Sequence, residues 1–215
     1  MTNVSFSAIV PDMLSVASVL RGRIAAAPPR TFLRASELCT DITSRRAADT
    51  ALTRLVDDPS VPLVRVRRGL YWRGVPSRFG KGAPSPSEIV LAAVGERGGI
   101  GPSGWSASRD LGITTQRPAV EEFATVATPP TGIQGVRFHR RNNPKRAGLR
   151  YHEIATLEAL RDWPAYSEGD WDALVRSVRS LTRAHKVRPS ALRDAARFEP
   201  GAARERLRDL LNAAA

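Results

Sequence analysis

Apolar residues recur at Val16, Val19, Leu20 and Ile24, the spacing of one buried helix face, and Asp12 stands where an N-cap belongs. Pro28 and Pro29 stop that helix. Thr31-Phe32-Leu33 reads as a small strand and Arg34–Thr40 as a helix of one or two turns. Ser44 is placed to cap a helix over Arg45–Asp57. Its inward stripe is Ala48, Ala51, Leu52, Leu55 and Val56, and its outward face is Arg45, Arg46, Asp49, Thr50, Thr53 and Arg54. Pro59 and Pro62 end it. From Leu63 the pattern changes to strict alternation, Leu63-Val64-Arg65-Val66-Arg67, the signature of a half-buried strand. Arg68-Gly69 supplies a turn, and Leu70-Tyr71-Trp72-Arg73-Gly74 returns as its partner.

Residues 76–87 (PSRFGKGAPSPS) are rich in Pro, Gly and Ser and poor in apolar side chains, the composition of a linker. They set a domain over 1–75 apart from another over 88–215. Downstream, Pro86–Glu96 predicts a helix with Ile89, Val90, Ala93 and Val94 inward. Gly99-Ile100-Gly101-Pro102-Ser103-Gly104 matches the dinucleotide pattern GxGxxG literally. That pattern needs a strand before it and a helix after it. Here a helix precedes it and Pro102 removes an amide donor, so the run reads as a turn into a short helix, Trp105–Leu111. Residues 126–148 look irregular and β-like, with a strand over Val136–Arg141. The tail is helical. Ile154, Leu157 and Leu160 stripe His152–Trp163; Ser167 and Asp170 open a helix carrying Trp171, Leu174, Val175, Val178 and Leu181; Pro189 opens a third; and Pro200 opens a last one with Ala203, Leu207, Leu210 and Leu211 inward. The expected class is α+β, with the second domain a mixed, helix-rich α/β unit.

Helix, helix, helix and hairpin in that order predict a winged helix-turn-helix in the first domain. In that geometry the third helix enters the major groove of DNA. Arg45, Arg46, Thr50, Thr53 and Arg54 then face base edges and phosphates, and Arg65, Arg67 and Arg68 on the wing face the backbone or a narrow minor groove.

Charge agrees with a polyanion partner. The 215 residues hold 33 basic and 21 acidic side chains, a net charge of +12. Residues 1–80 hold 12 basic and 6 acidic side chains, 81–150 hold 10 and 5, and 151–215 hold 11 and 10. The excess therefore lies in the first two-thirds. Between Arg137 and Arg150 stand six basic residues and no acid. Arg137, Arg140, Arg141, Lys145 and Arg146 form a candidate patch for a polyanion or a protein partner, or else a solvated strand and loop.

Catalysis finds little support. The histidines, His139, His152 and His185, are scattered; Cys39 is the single cysteine; and no HExxH, P-loop or GxSxG run is present. The acid pairs Asp57-Asp58 and Glu121-Glu122 read as surface turns. No enzyme, metal or cofactor is expected. Ile89–Val94, the longest apolar run, is far too short to span a bilayer, and MTNVSFSAIVPD lacks a basic start and a long apolar stretch, so a cytoplasmic protein is expected.

Pro102-Ser103-Gly104-Trp105-Ser106-Ala107 followed by Leu111-Gly112-Ile113-Thr114-Thr115-Gln116 resembles the AbiE-type (AbiEi-like) bacterial antitoxins. So do Phe123-Ala124-Thr125, the basic run Val136–Lys145, the Thr156–Leu160 helix, the Arg68-Gly69-Leu70-Tyr71 hairpin and Pro200–Leu211, a resemblance covering residues 14–211. Trp105 departs from the smaller residues usual there. The resemblance implies two tasks: repression of the chain's own operon through promoter DNA, and neutralisation of a cognate nucleotidyltransferase-type toxin. The PSG and TTQ runs read as turn and cap chemistry, with hydroxyls satisfying helix-end amides. The competing reading is a plain transcriptional regulator whose second domain senses a ligand or dimerises.

Overall fold

A computed structural model describes residues 15–78, 80–95 and 98–214. The chain is mixed α+β and divides into two compact units, Met1–Pro84 and Ser85–Ala215.

The first unit runs α1 (Val16–Ala26), β1 (Thr31–Arg34), α2 (Ala35–Leu38), α3 (Arg45–Asp57), β2 (Leu63–Arg67) and β3 (Leu70–Arg73). Asp12 lies outside the described residues; within them the Ser15 hydroxyl caps α1, accepting the Ser18 N–H at 3.2 Å. Ser44 caps α3 in the same way through Ala47. The three strands form one antiparallel sheet in the order β1-β3-β2, so Leu33 and Arg65 flank Tyr71 from either side. The Phe32 and Trp72 rings, cross-strand partners, lie 4.8 Å apart. Leu20, Ile24, Leu33, Leu38, Leu52, Leu55 and Leu63 close the core between helices and sheet. Each is worth about 1.5–3 kcal/mol relative to exposure. The stretch read as a linker is partly tied to this unit. The Lys81 ammonium donates to the carbonyls of Val56 and Leu63. A Cβ on Gly74 would fall 1.7 Å from the Lys81 carbonyl oxygen, so only glycine lets the two segments cross.

The second unit runs α4 (Pro86–Val94), β4 (Ile100–Pro102), α5 (Gly104–Asp110), β5 (Glu121–Thr125), β6 (Val136–Arg140), a 3₁₀ turn over Pro144–Gly148, α6 (Tyr151–Arg161), α7 (Trp171–Arg183), α8 (Pro189–Ala196) and α9 (Gly201–Ala214). Its sheet has the order β4-β5-β6, with β4 antiparallel and β6 parallel to β5. Helix α6 is the centre: apart from His152, every residue from Tyr151 to Leu160 is buried. Around it pack Leu174 and Val178 of α7, Leu192 of α8 and Leu207 and Leu210 of α9.

Two expectations are corrected here. Glu121 and Glu122 are not a surface turn but the first residues of β5, half-buried with their charges paired. The GxGxxG run itself contains a strand, and its glycines serve packing. A Cβ on Gly101 would fall 2.7 Å from Ile154 Cβ and from the Tyr151 carbonyl oxygen, so the glycine lets β4 lie directly on α6.

Candidate functional site

Helix α3 builds the first candidate surface. Ala48, Ala51, Leu52 and Leu55 are buried, and helical spacing then forces Arg45, Arg46, Asp49, Thr50, Thr53 and Arg54 to the exposed side. Thr53 is partly spent on its own helix, since its hydroxyl donates to the Asp49 carbonyl at 2.9 Å. On the hairpin, Arg65 is exposed on β2 and Arg68 is exposed beside Gly69, which holds the left-handed φ of +74° that the turn demands. Arg67 departs from the alternation. The register slips between Arg65 and Arg67, and past this bulge Arg67 is half-buried. Among the described residues the ion pairs of this unit are Arg21–Asp58, Arg23–Asp41 and Arg34–Glu37, so Arg45, Arg46 and Arg54 of α3 and Arg65, Arg67 and Arg68 of the hairpin are in none of them. Cys39 caps the C-terminus of α2; burial, then the Asp49 charge, push its thiol up, which keeps it protonated at neutral pH.

In the second unit the basic run splits. Arg146 is 1% exposed and takes no part in an outward patch. Its guanidinium donates to both Glu199 oxygens, at 2.6 and 2.8 Å, and to Glu158. Arg141 is half-buried and donates to Glu158 as well, from Nε at 3.1 Å and from Nη2. Asn143 donates to Glu199 at 2.6 Å, and Arg161 lies 3.5 Å from it. Burial opposes the charge on Glu158, but hydrogen bonds from Arg141 and the Arg146 charge outweigh it and hold the carboxyl below its usual range. Arg137 is exposed and paired with Glu122, while Arg140 and Lys145 are exposed. Of the five, only Arg137, Arg140 and Lys145 are exposed, while Arg141 is half-buried and bound to Glu158.

The network's acids escaped sequence reading, although a signal existed. Glu158 stands four residues after Ile154, on the stripe that Ile154, Leu157 and Leu160 define. Glu153 stands four before Leu157 and is fully buried, bonded to the Arg188 backbone N–H and guanidinium.

The TTQ run serves a different partner from the helix-end amides expected. The Thr114 hydroxyl, the Thr115 N–H and the Gln116 side-chain amide all donate to the Glu168 carboxylate, at 2.7, 2.9 and 2.8 Å. Ser103 opens α5 without a side-chain cap, and Gly104 sits at φ +53° where a Cβ would fall 2.8 Å from Glu122 Oε2. Gln116, then Thr115 and Thr114, hold the Glu168 carboxyl down at about 2. A depressed carboxyl stabilises above its ordinary value near 4.5 and loses that contribution as pH falls through its folded value. The protection factor of the Thr115 amide, its exchange rate relative to the unfolded chain at the same pH, is therefore expected to hold down to about pH 4.5 and to fall as pH drops towards 2. Glu168→Gln should lower it already at neutral pH; unchanged protection in that variant would contradict the clamp.

Among the described residues no three His, Cys, Asp or Glu side chains converge as metal ligands. Among the same residues no helix is long and apolar enough to cross a membrane.

No family model matches the chain, and no curated protein matches it. The structure is similar to the crystal structure of the RV2827C protein from Mycobacterium tuberculosis, with a TM-score of 0.51 and 18% sequence identity. The match covers 93% of this chain and 77% of that one. At that identity the likeness speaks to the fold, a mixed α+β one.

Proposed function

We propose that the chain is an antitoxin that also represses its own operon, with the first unit a winged helix-turn-helix that binds promoter DNA and the second a domain that neutralises a nucleotidyltransferase-type toxin. The observation that carries the DNA half is the outward face of α3, where Arg45, Arg46 and Arg54 stand exposed and in no ion pair among the described residues. The antiparallel order β1-β3-β2, with β1 entering between the first two helices, agrees with it. In this reading α3 lies in the major groove, its arginines on guanine edges and phosphates. Arg65 and Arg68 hold the adjacent backbone, and Arg67 contributes less because it is half-buried. The antitoxin half rests on the PSG and TTQ runs, which build the start of α5 and the Glu168 clamp. Both tasks belong to the cytoplasm.

The test is growth rescue. The open reading frame beside the gene is induced in a bacterial host, alone and with the full chain. Arrest alone and growth with the chain are expected. The Arg45→Ala, Arg46→Ala, Arg54→Ala variant should still rescue while losing the DNA upstream of its gene. A toxic neighbour that the well-expressed chain fails to silence sinks the antitoxin half and leaves a plain regulator.

A further inference from the structure

We propose that a surface cleft of the second unit binds a nucleotide, through its phosphate and its base together. The cleft measures about 410 Å³ and lies where the end of β6 meets the α8–α9 junction. Arg140, Arg141 and Arg161 line it, with Asn142, Phe198 and Pro200. Its size falls in the range of small-ligand sites. Its lining is mainly polar, which selects against an apolar ligand.

Three features fix the ligand's chemistry. The first is the arginines. Arg140 is exposed and has no ion pair among the described residues. Arg161 reaches Glu199 only at 3.5 Å and stays one-third exposed, so donors remain for an incoming oxyanion. Asp162 lies near Arg141 and Glu199 lines the cleft, but the Glu199 side chain is buried and Arg146, Asn143 and Arg161 already engage it. The second feature is Phe198, the most exposed large apolar side chain among the described residues at 56%. A bare phenyl ring beside arginines offers a stacking face, which every nucleobase can use. An acidic peptide would use the arginines and leave the ring without a purpose. The third is rigidity. Behind the cleft the buried Arg146–Glu158–Glu199 network anchors Arg141 through Glu158, so that part of the cationic wall is set before any ligand arrives. The cleft also ends at Pro200, where the positive end of the 14-residue helix α9 begins. This inference is independent of the DNA reading of α3.

The same chemistry is offered by a free nucleoside monophosphate and by one unit of a single strand. The experiment uses the full chain carrying Arg45→Ala, Arg46→Ala and Arg54→Ala, which removes the α3 face. A fluorescein-labelled single-stranded oligoribonucleotide of about eight nucleotides is titrated by anisotropy. Phe198→Ala and Arg140→Ala, both at exposed positions, are each expected to weaken binding about fivefold or more. Arg176→Ala, an exposed arginine of α7 outside the cleft, is expected to leave it unchanged. Displacement by unlabelled nucleoside monophosphate would assign the site to a free nucleotide; binding that only the strand supports would assign it to a strand. Undiminished binding by Phe198→Ala overturns the proposal, as does an equal loss in Arg176→Ala, which would mean diffuse charge. Displacement by polyglutamate as effective as by the oligonucleotide also overturns it, giving the cleft to an acidic protein segment.

Discussion

Arg146→Met lowers the unfolding free energy of the second unit by about 3–5 kcal/mol, the expected cost of removing one partner from a buried ion pair. The substitution keeps much of the side-chain volume, so the loss reads charge rather than a cavity. Glu158 retains Arg141, but the buried Glu199 keeps only Asn143 and Arg161, which lies 3.5 Å away and is one-third exposed. Denaturant titration reads it through Trp105, Trp163 and Trp171 of the second unit, with Trp72 of the first as internal reference. Exposed Arg140→Ala, one strand end away, should move stability by no more than about 0.5 kcal/mol. Restoring charge balance with Glu199→Gln in the Arg146→Met background should recover part of the loss, because the two sites couple. The pH profile has a defined sign. The Glu158 carboxyl is held below its ordinary value near 4.5, so its contribution is complete above that pH and disappears as pH falls through the lower folded value. Arg146→Met should flatten that acid limb. A variant as stable as the parent at pH 7 would contradict the network's role.

On the proposed DNA reading, Arg45→Ala, Arg46→Ala or Arg54→Ala is expected to weaken binding to the promoter, and any of the three that contacts a base should cost about 1–3 kcal/mol and relax preference at one base pair. Arg65→Ala and Arg68→Ala act differently. On the same reading they are expected to weaken specific and nonspecific duplexes alike, each lowering the salt slope by about one. Arg67→Ala should fall short of both, since the bulge turns Arg67 into a half-buried position. Anisotropy on the upstream duplex at several salt concentrations separates the two groups. If all six variants bind as the parent does, the α3 face and the hairpin are not the DNA surface.

The first unit is legible because its rules are local. Ser44, the spacing of Ala48, Leu52 and Leu55, and Pro59 fix α3 to the residue, and Arg68-Gly69 fixes the hairpin. The outward arginines follow from the same helical period. The bulge at Arg67 was not legible, because strict alternation hides a register slip that only the paired strand imposes. The second unit hides more, and for one reason: its partners are distant in sequence. Arg146 looked solvated because its counterions lie 12 and 53 residues on. Glu121 and Glu122 looked like a turn because Arg109 and Arg137, which neutralise them, belong to other elements. Thr114, Thr115 and Gln116 looked like caps because Glu168 stands more than fifty residues away. The cleft beside Phe198 was invisible for the same reason, being assembled from a strand end and a helix junction.

The 53-residue span between Arg146 and Glu199 also sets an order of events during synthesis. A ribosome delivers Arg146 and Glu158 well before the acid that completes their charge balance. Until Glu199 emerges, closing the helices around α6 would bury an arginine with a single carboxylate shared between two guanidiniums. The nascent second unit is therefore expected to commit to its packed form only when the α8–α9 junction arrives, while the first unit, whose sheet closes with the Thr31–Arg73 pairing, has all its strands in hand long before.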